Sequence, residues 1–186
     1  MNINTEQKNE NVLVRRGKAA FGTKPEEMQG YITPNSQFFV YSNGDSPEID
    51  IDSYRLRIEG DGVERPFEIS YDELLQLPSH TLISYLECAG NQRMLFEETM
   101  DGKLQSNTGG EVTPWMLGAI GNAVWVGVRL STLLEMAGLK SDAVDVNPKG
   151  LDVKSSEGGV NRPMSIAKAL DPDTIVAYFM NGEPLP

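Results

Sequence analysis

Cys88 and Arg93 are the two residues of this sequence whose types and spacing point most directly to chemistry. Cys88 is the only cysteine, and residues 81–86 before it are rich in β-branched and aromatic types, which predicts a buried strand. Ala89-Gly90-Asn91 predict a tight turn, because glycine and asparagine tolerate backbone angles that other residues avoid. A thiolate at a strand end can bind a soft metal, and a nearby arginine can hold an oxyanion.

Both residues also have an ordinary structural explanation. A lone cysteine is often a small, buried, hydrophobic side chain. An arginine at this place can equally lie on the surface or form an ion pair with Glu97 or Glu98. The single histidine, His80, is expected to be a partly exposed residue at the start of a strand, because nothing pairs with it at metal-site spacing.

The segments that must position these residues predict an α+β domain with a mainly β core. Ser70-Tyr71-Asp72-Glu73 is a capping box that opens a helix, and Gly138 is placed to end a later one. Gly118, Gly121 and Gly127 are expected where two backbones approach closely. Besides the strand before Cys88, the pattern predicts strands near residues 38–41, 54–59, 66–69, 143–146 and 174–180, and helices near residues 71–77, 131–137 and 165–170.

The two ends of the chain carry expectations of their own. Polar residues without a sustained period predict an extended N-terminal arm over residues 1–30, pinned to the body by Val12-Leu13-Val14, and a single domain over residues 31–186. Residues 94–113 predict a surface flap. Asn181-Gly182 is a strong hairpin signal, but only four residues follow it, so we expect no returning strand and a domain cut short at its C-terminus.

The composition restricts the classes of partner. Hydrophobic residues make up 39% and charged residues 23% of the 186 residues, which is typical of a globular domain with a core. Sixteen basic and 27 acidic residues give a net charge of -11, which argues against nucleic acid as a partner. No apolar run approaches the ~20 residues of a membrane span, and no signal-peptide core is visible. We therefore expect a cytoplasmic protein with no membrane partner.

Leu86–Arg93 resembles the cysteine motif of the sulfite oxidase family of molybdopterin-dependent oxidoreductases. Three further segments resemble that family in the family's order: its N-terminal cofactor segment at residues 31–40, its central block at residues 115–130, and the start of its late cofactor segment at residues 177–186. The resemblance runs from about Asn11 to the last residue. It implies a sulfite-oxidase-type molybdopterin-binding domain.

The resemblance also implies a molybdenum-molybdopterin cofactor and gives roles to individual residues. Cys88 matches the cysteine whose thiolate binds molybdenum, and Arg93 matches an arginine of the anion pocket. Arg162 matches an arginine common in bacterial members and is expected to contact the substrate. Asp152 matches an aspartate that hydrogen-bonds the cofactor, while a turn-capping role is equally open. The strand end that contacts the pterin corresponds to Phe39, Val40, Tyr41, Ser42 and Asn43.

The sequence departs from the family at two places. Sulfite oxidases typically carry an Arg-Asn-His run where this chain has Tyr41-Ser42-Asn43, and a tyrosine near molybdenum where the nearest residue here is Val160. The expected activity is two-electron oxo transfer on a small sulfur oxyanion such as sulfite, with a separate electron acceptor and a homodimer contact in the missing C-terminal part. A different small substrate and a non-catalytic relative that binds no cofactor both stay open as alternatives.

Overall fold

The computed structural model describes residues 8–17, 20–42, 47–97, 113–151 and 160–185. Its strands, in chain order, are β1 (Leu13–Gly17), β2 (Ala20–Thr23), β3 (Val40–Tyr41), β4 (Arg55–Ile58), β5 (Phe67–Ser70), β6 (Ser79–Glu87), β7 (Ile120–Arg129), β8 (Asp145–Val146), β9 (Met164–Ser165), β10 (Ile175–Met180) and β11 (Glu183–Pro184). Its helices are α1 (Tyr71–Gln76), α2 (Arg93–Glu97), α3 (Leu130–Met136) and α4 (Ile166–Ala169), with 3-10 turns at Pro25–Glu27 and Asn35–Gln37. The strands are more numerous than the short helices and contain more residues. This confirms the predicted α+β class with a mainly β core.

Tertiary contacts divide the chain into two compact units, each built from two stretches of sequence. The cysteine unit contains residues 1–46 and 83–124, and it includes Cys88. The second unit contains residues 47–82 and 125–185. No helix of the described ranges has both the length and the apolar character that a membrane crossing requires.

The cysteine unit contains a three-stranded sheet of order β1-β2-β3. β1 and β2 pair antiparallel, with Leu13 opposite Thr23 and Arg15 opposite Phe21. Val12, Leu13 and Ala20 are buried. The arm expected over residues 1–30 therefore contains, in its described part, two paired strands rather than one extended segment. Their apolar positions are too few to produce a period in the sequence, so only the tertiary contacts reveal them.

The core of the second unit is formed by side chains from three strands and two helices. Ile69, Leu74, Val128, Leu133 and Tyr178 are all buried in one cluster. The alternating strand β4 packs its Leu56 and Ile58 against this cluster while its arginines face outward. Burying apolar area of this kind supplies most of the free energy of folding, at roughly 25 cal/mol per Å².

The two predicted helix boundary signals of the second unit are confirmed. The Ser70 hydroxyl accepts a hydrogen bond from the Glu73 backbone N–H at 3.2 Å, and the Ser70 N–H donates to the Glu73 carboxylate at 2.8 Å. At the end of α3, Gly138 has a φ of 69°, which glycine adopts without the strain of a side chain. Both signals depend only on residues within one helical turn.

β6 lies at the edge of a four-stranded sheet of order β11-β10-β7-β6. The prediction of a buried strand over residues 81–86 is right about the strand and wrong about its burial. Ile83, Tyr85 and Leu86 are 52%, 66% and 51% exposed. Residue types report how well a segment suits a pleated strand, whereas its burial depends on what packs against the strand.

The hairpin at Asn181-Gly182 forms, with φ values of 53° and 84°. The expectation that no strand returns from it is wrong, because β11 pairs antiparallel with β10, Glu183 opposite Met180 and Pro184 opposite Phe179. Two residues are enough to continue the ladder once the turn directs the chain back.

The expected flap over residues 94–113 begins with regular structure, since Arg93–Glu97 form α2. Residues 98–112 lie outside the described residues. The prediction of a surface flap therefore stays a prediction for most of its length.

Candidate functional site

Cys88 is the first residue after β6, and backbone hydrogen bonds hold it on both sides. Its N–H donates to the carbonyl of Ala119 at 2.9 Å, and its own carbonyl accepts from the N–H of Asn91 at 2.8 Å. The second bond closes the tight turn that Ala89-Gly90-Asn91 predict. These two bonds fix the backbone of Cys88. The thiol is half-buried, so part of its surface remains accessible.

The chain leaves this turn in a conformation that few residues adopt. Gln92 has a φ of 65°, a left-handed value that costs a non-glycine residue free energy. Its N–H donates to the Met116 carbonyl at 2.9 Å, and the next turn is tied down by Met94 N–H donating to the Trp115 carbonyl at 2.9 Å. The segment before β7 thus pins the turn after Cys88 from one side.

Aromatic rings pack beside Cys88. Trp115 is 1% exposed and forms a buried cluster with Ala20 and Ala119, against which Phe39 and Cys88 pack. The Trp115 ring meets Phe39 edge-on at 6.3 Å and Tyr41 edge-on at 5.9 Å between centroids. Trp115 is therefore a core residue, and it joins the predicted pterin-contacting segment to the cysteine turn.

Glycines allow this close packing. A side chain at Gly118 would collide with the backbone carbonyl of Thr23, and one at Gly121 would collide with the Phe38 ring. A side chain at Gly127 would collide with the carbonyl of Val176 in the second unit. The three glycines therefore lie where backbones or rings approach closely, as the sequence predicts.

Arg93 folds its side chain back over its own turn. Its guanidinium lies against Gly90, where an added Cβ would be 2.6 Å from an Arg93 nitrogen and 3.1 Å from the Trp115 ring. Its Nη1 donates to the Thr113 carbonyl across a long 3.4 Å. Arg93 forms no ion pair with another described side chain, and the side chains of its suggested partners Glu97 and Glu98 lie outside those described.

An open concavity of about 500 Å³ lies at the end of β6. It is lined by Tyr85, Leu86, Glu87, Cys88, Ala89 and Asn91. A concavity of this size accommodates a cofactor-sized ligand.

The residues present fit a molybdopterin group whose metal takes one protein ligand. Within the described ranges, no three His, Cys, Asp or Glu side chains form a group that could hold a metal ion. Cys88 could offer a single soft thiolate, a ligand type that suits a metal held mainly by the sulfur atoms of its own cofactor. The half-buried thiol and the neighbouring concavity leave room for such a group.

The structure brings some of the predicted site residues together. Phe39 and Tyr41 lie at the Trp115 ring beside Cys88, Val40 is half-buried in β3, and Ser42 follows it. Asn43 lies outside the described residues.

The remaining predicted residues belong to the second part of the sequence. Arg162 is exposed in the second unit, and its guanidinium donates to the carbonyl of the adjacent Asn161 at 2.8 Å. The Val160 carbonyl accepts from the Gly150 N–H at 2.8 Å. Asp152 lies outside the described residues, so its predicted cofactor contact stays a prediction.

The expectation for His80 is confirmed, and the structure adds its partners. The half-buried ring lies at the start of β6. Its Nε2 is 3.1 Å from the Asp173 carboxylate, and its Nδ1 is 3.1 Å from the Arg129 guanidinium. Because arginine can only donate, Nδ1 is the acceptor and Nε2–H donates to Asp173. His80 thus connects the end of β7 to the loop before β10 within the second unit.

Sequence reasoning gave no role to the side chains of Glu87 and Asn91. The Asn91 amide donates to the Glu87 carboxylate at 2.9 Å, and its oxygen accepts from the Ala119 N–H at 3.0 Å. The spacing of four residues between Glu87 and Asn91 is visible in the sequence, but Ala119 lies 28 positions away and gives no local signal.

Comparisons with known proteins show which family this chain resembles. The chain matches a family model, the oxidoreductase molybdopterin binding domain, over residues 43–186. It is 35% identical over 168 residues to mitochondrial sulfite oxidase of Rattus norvegicus, covering 87% of this chain and 29% of that protein. It is 34% identical over 179 residues to NADH nitrate reductase of Ulva prolifera, covering 90% of this chain and 20% of that protein. The crystal structure of the sulfane dehydrogenase SoxCD from Paracoccus pantotrophus superposes with a TM-score of 0.74 at 29% identity, over 100% of this chain and 45% of that one.

Fold, cysteine turn and family match together define a molybdopterin-binding oxidoreductase domain. The chain belongs to the sulfite oxidase family of molybdopterin enzymes, whose members include nitrate reductases as well as sulfite oxidases. It spans less than a third of the length of the Rattus norvegicus sulfite oxidase and the Ulva prolifera nitrate reductase.

Proposed function

We propose that this chain binds the molybdenum-molybdopterin cofactor through the Cys88 thiolate and catalyses two-electron oxo transfer on a small sulfur oxyanion. The observation that carries the proposal is the half-buried Cys88 in the lining of an open concavity of about 500 Å³, with Arg93 in the same turn. When bound, the cofactor supplies the oxo-transfer chemistry itself. In the oxidising direction, sulfite gains one oxygen from water and becomes sulfate, two protons are released, and two electrons pass to a separate acceptor.

The protein's part is to hold the ligand and the anion. The Ala119 carbonyl fixes the backbone of Cys88, so this backbone is already ordered before the thiolate binds a ligand. Arg93 carries a permanent charge and a planar pair of donors that suits an oxyanion. Its hydrogen bond to the Thr113 carbonyl is long, so this bond holds the guanidinium only weakly in its present orientation. Phe39, Val40, Tyr41, Ser42, Asn43 and Asp152 would contact the cofactor, and Arg162 the substrate.

A second substrate class is supported by Tyr41. Its phenol packs edge-on against Trp115 where sulfite oxidases typically supply an arginine, so this position adds no positive charge for a dianion. A singly charged or neutral oxygen donor or acceptor needs less positive charge. Nitrate is one such anion, and the nitrate reductase of Ulva prolifera is among the relatives.

The electron acceptor is proposed to be a separate protein or small molecule. This proposal rests on the family resemblance. A homodimer is proposed on the family resemblance alone.

Molybdenum analysis of Cys88→Ser tests the proposal directly. The wild-type protein, produced in a host that makes the cofactor, should contain molybdenum. Cys88→Ser should lose turnover and most of the metal while keeping its fold, because a hydroxyl is a poor ligand for a soft metal. Ser84→Ala, on the same strand and outside the lining of the concavity, is the matched control and should keep both.

Two outcomes would count against the proposal. Full molybdenum content and turnover in Cys88→Ser would show that the thiolate is not the ligand. A wild-type protein that folds in such a host but contains no molybdenum would favour the non-catalytic alternative.

A further inference from the structure

Asn91 connects the two segments that hold Cys88. Its Nδ2 donates to the Glu87 carboxylate at 2.9 Å, and its Oδ1 accepts from the Ala119 N–H at 3.0 Å. Cys88 stands between these partners, because its own N–H donates to the Ala119 carbonyl at 2.9 Å and its carbonyl accepts from the Asn91 N–H at 2.8 Å. Four hydrogen bonds therefore connect Cys88 and Asn91 to each other, to Glu87 and to Ala119.

The chemistry of the partners requires an amide at position 91. A carboxylate can only accept a hydrogen bond, and a backbone N–H can only donate one. Asparagine offers a donor and an acceptor on one short, planar group, so it satisfies both partners at once. An aspartate of the same shape would keep the bond to Ala119 but would place a second carboxylate against Glu87.

We propose that Asn91 is a positioning residue that orients the Cys88 thiol by bridging Glu87 to Ala119. The inference rests on the proposed function, since it concerns how this chain presents its thiolate to the metal. Asn91 acts on Cys88 through the turn backbone and through the bonds that both residues make to Ala119. Loss of the bridge weakens the hydrogen-bonded connection between the end of β6 and the segment that precedes β7.

The test uses Cys88 itself as the probe, because it is the only cysteine. In cofactor-free protein, Asn91→Asp should change the rate of Cys88 alkylation by iodoacetamide roughly three- to tenfold, the effect of losing one hydrogen bond. Exchange of the Cys88 amide proton should speed up in parallel. The double variant Asn91→Asp/Glu87→Gln places an amide donor at position 87 opposite a carboxylate acceptor at position 91. Both rates should therefore return toward the wild-type values.

A matched control separates positioning from general destabilisation. Asn122 also lies in the cysteine unit, and its Nδ2 donates to the Tyr31 carbonyl at 2.8 Å, away from Cys88. Asn122→Asp should lower the thermal midpoint by about as much as Asn91→Asp, yet leave Cys88 alkylation unchanged. In cofactor-loaded protein, Asn91→Asp should lower kcat, and the double variant, which carries the wild-type number of charges, should recover it.

The outcomes are distinguishable from those of the proposed function. If Asn91→Asp leaves alkylation and amide exchange unchanged, or if the double variant behaves like Asn91→Asp, the bridge does not position Cys88 and the inference is wrong. Should Asn91→Asp not fold, Glu87→Ala removes the contact between Asn91 and Glu87 from its other end and must likewise speed up exchange of the Cys88 amide proton. Absence of molybdenum from the wild-type protein would refute the proposed function, while the alkylation data would still decide whether the bridge orders the turn.

Discussion

At the scale of single residues, Arg93 places a permanent positive charge in the turn that follows Cys88. If the guanidinium holds an oxyanion, each charge-assisted hydrogen bond lost on truncation costs roughly 1.5–3 kcal/mol. Arg93→Gln should therefore raise KM for sulfite by about tenfold or more. It should change KM for a neutral sulfoxide much less. Steady-state kinetics with both substrates measure the difference.

Arg57→Gln is a suitable control for the loss of one positive charge. Arg57 is an exposed arginine of the second unit, paired with Glu68 at 2.8 Å. It should leave both KM values unchanged. Arg162→Gln, measured in the same way, tests the substrate contact proposed for Arg162. If Arg93→Gln leaves sulfite kinetics unaltered, Arg93 serves only to close its turn against Gly90.

At the scale of elements, the capping box of α1 makes a prediction about pH. The pKa of Glu73 lies below its ordinary value because the Ser70 backbone N–H, then the Ser70 hydroxyl, and to a smaller degree the charge of Arg55 favour the ionised carboxylate. A carboxylate whose pKa is lowered by folding stabilises the protein at pH values above the pKa that the same carboxylate has in the unfolded chain. That contribution is lost as the pH falls through the folded pKa.

Glu73→Gln should consequently reduce the free energy of unfolding more near about pH 7 than near about pH 3, because the contribution of the ionised carboxylate is lost as the pH falls through the folded pKa. Urea titrations of both proteins at the two pH values measure this. Asp72→Asn, which changes the neighbouring carboxylate outside the capping box, should show a smaller pH-dependent difference. A Glu73→Gln effect of equal size at both pH values would mean that the ionised carboxylate does not act through the cap.

At the scale of the whole molecule, the net charge of -11 opposes the approach of an anionic substrate. Repulsion at long range is screened as the Debye length falls from ~30 Å at ~0.01 M salt to ~8 Å at ~0.15 M. We expect kcat/KM for sulfite to rise over this range, because the on-rate reports the field of the whole protein. A neutral sulfoxide should show no such rise. A fall in kcat/KM for sulfite would indicate that local positive charge, Arg93 included, dominates the field that the anion meets.

How much could be predicted from the sequence depended on the distance over which each feature is determined. The Ser70–Glu73 cap, the helix end at Gly138 and the Asn181-Gly182 turn were all predictable, since each is decided by residues within one turn. The family was predictable for a related reason: the cysteine motif and the other matching segments are contiguous runs of sequence. The returning strand β11 was missed because two residues are too few to form a pattern.

For the candidate site, the sequence by itself determined the thiol, the arginine and the turn between them. It did not determine which contacts surround them. Only the tertiary structure paired Asn91 with Ala119, 28 positions away, placed Trp115 between Cys88 and Tyr41, and left one face of β6 exposed. These contacts join segments that are remote in sequence, and their free energy appears only when the chain folds and brings the segments together.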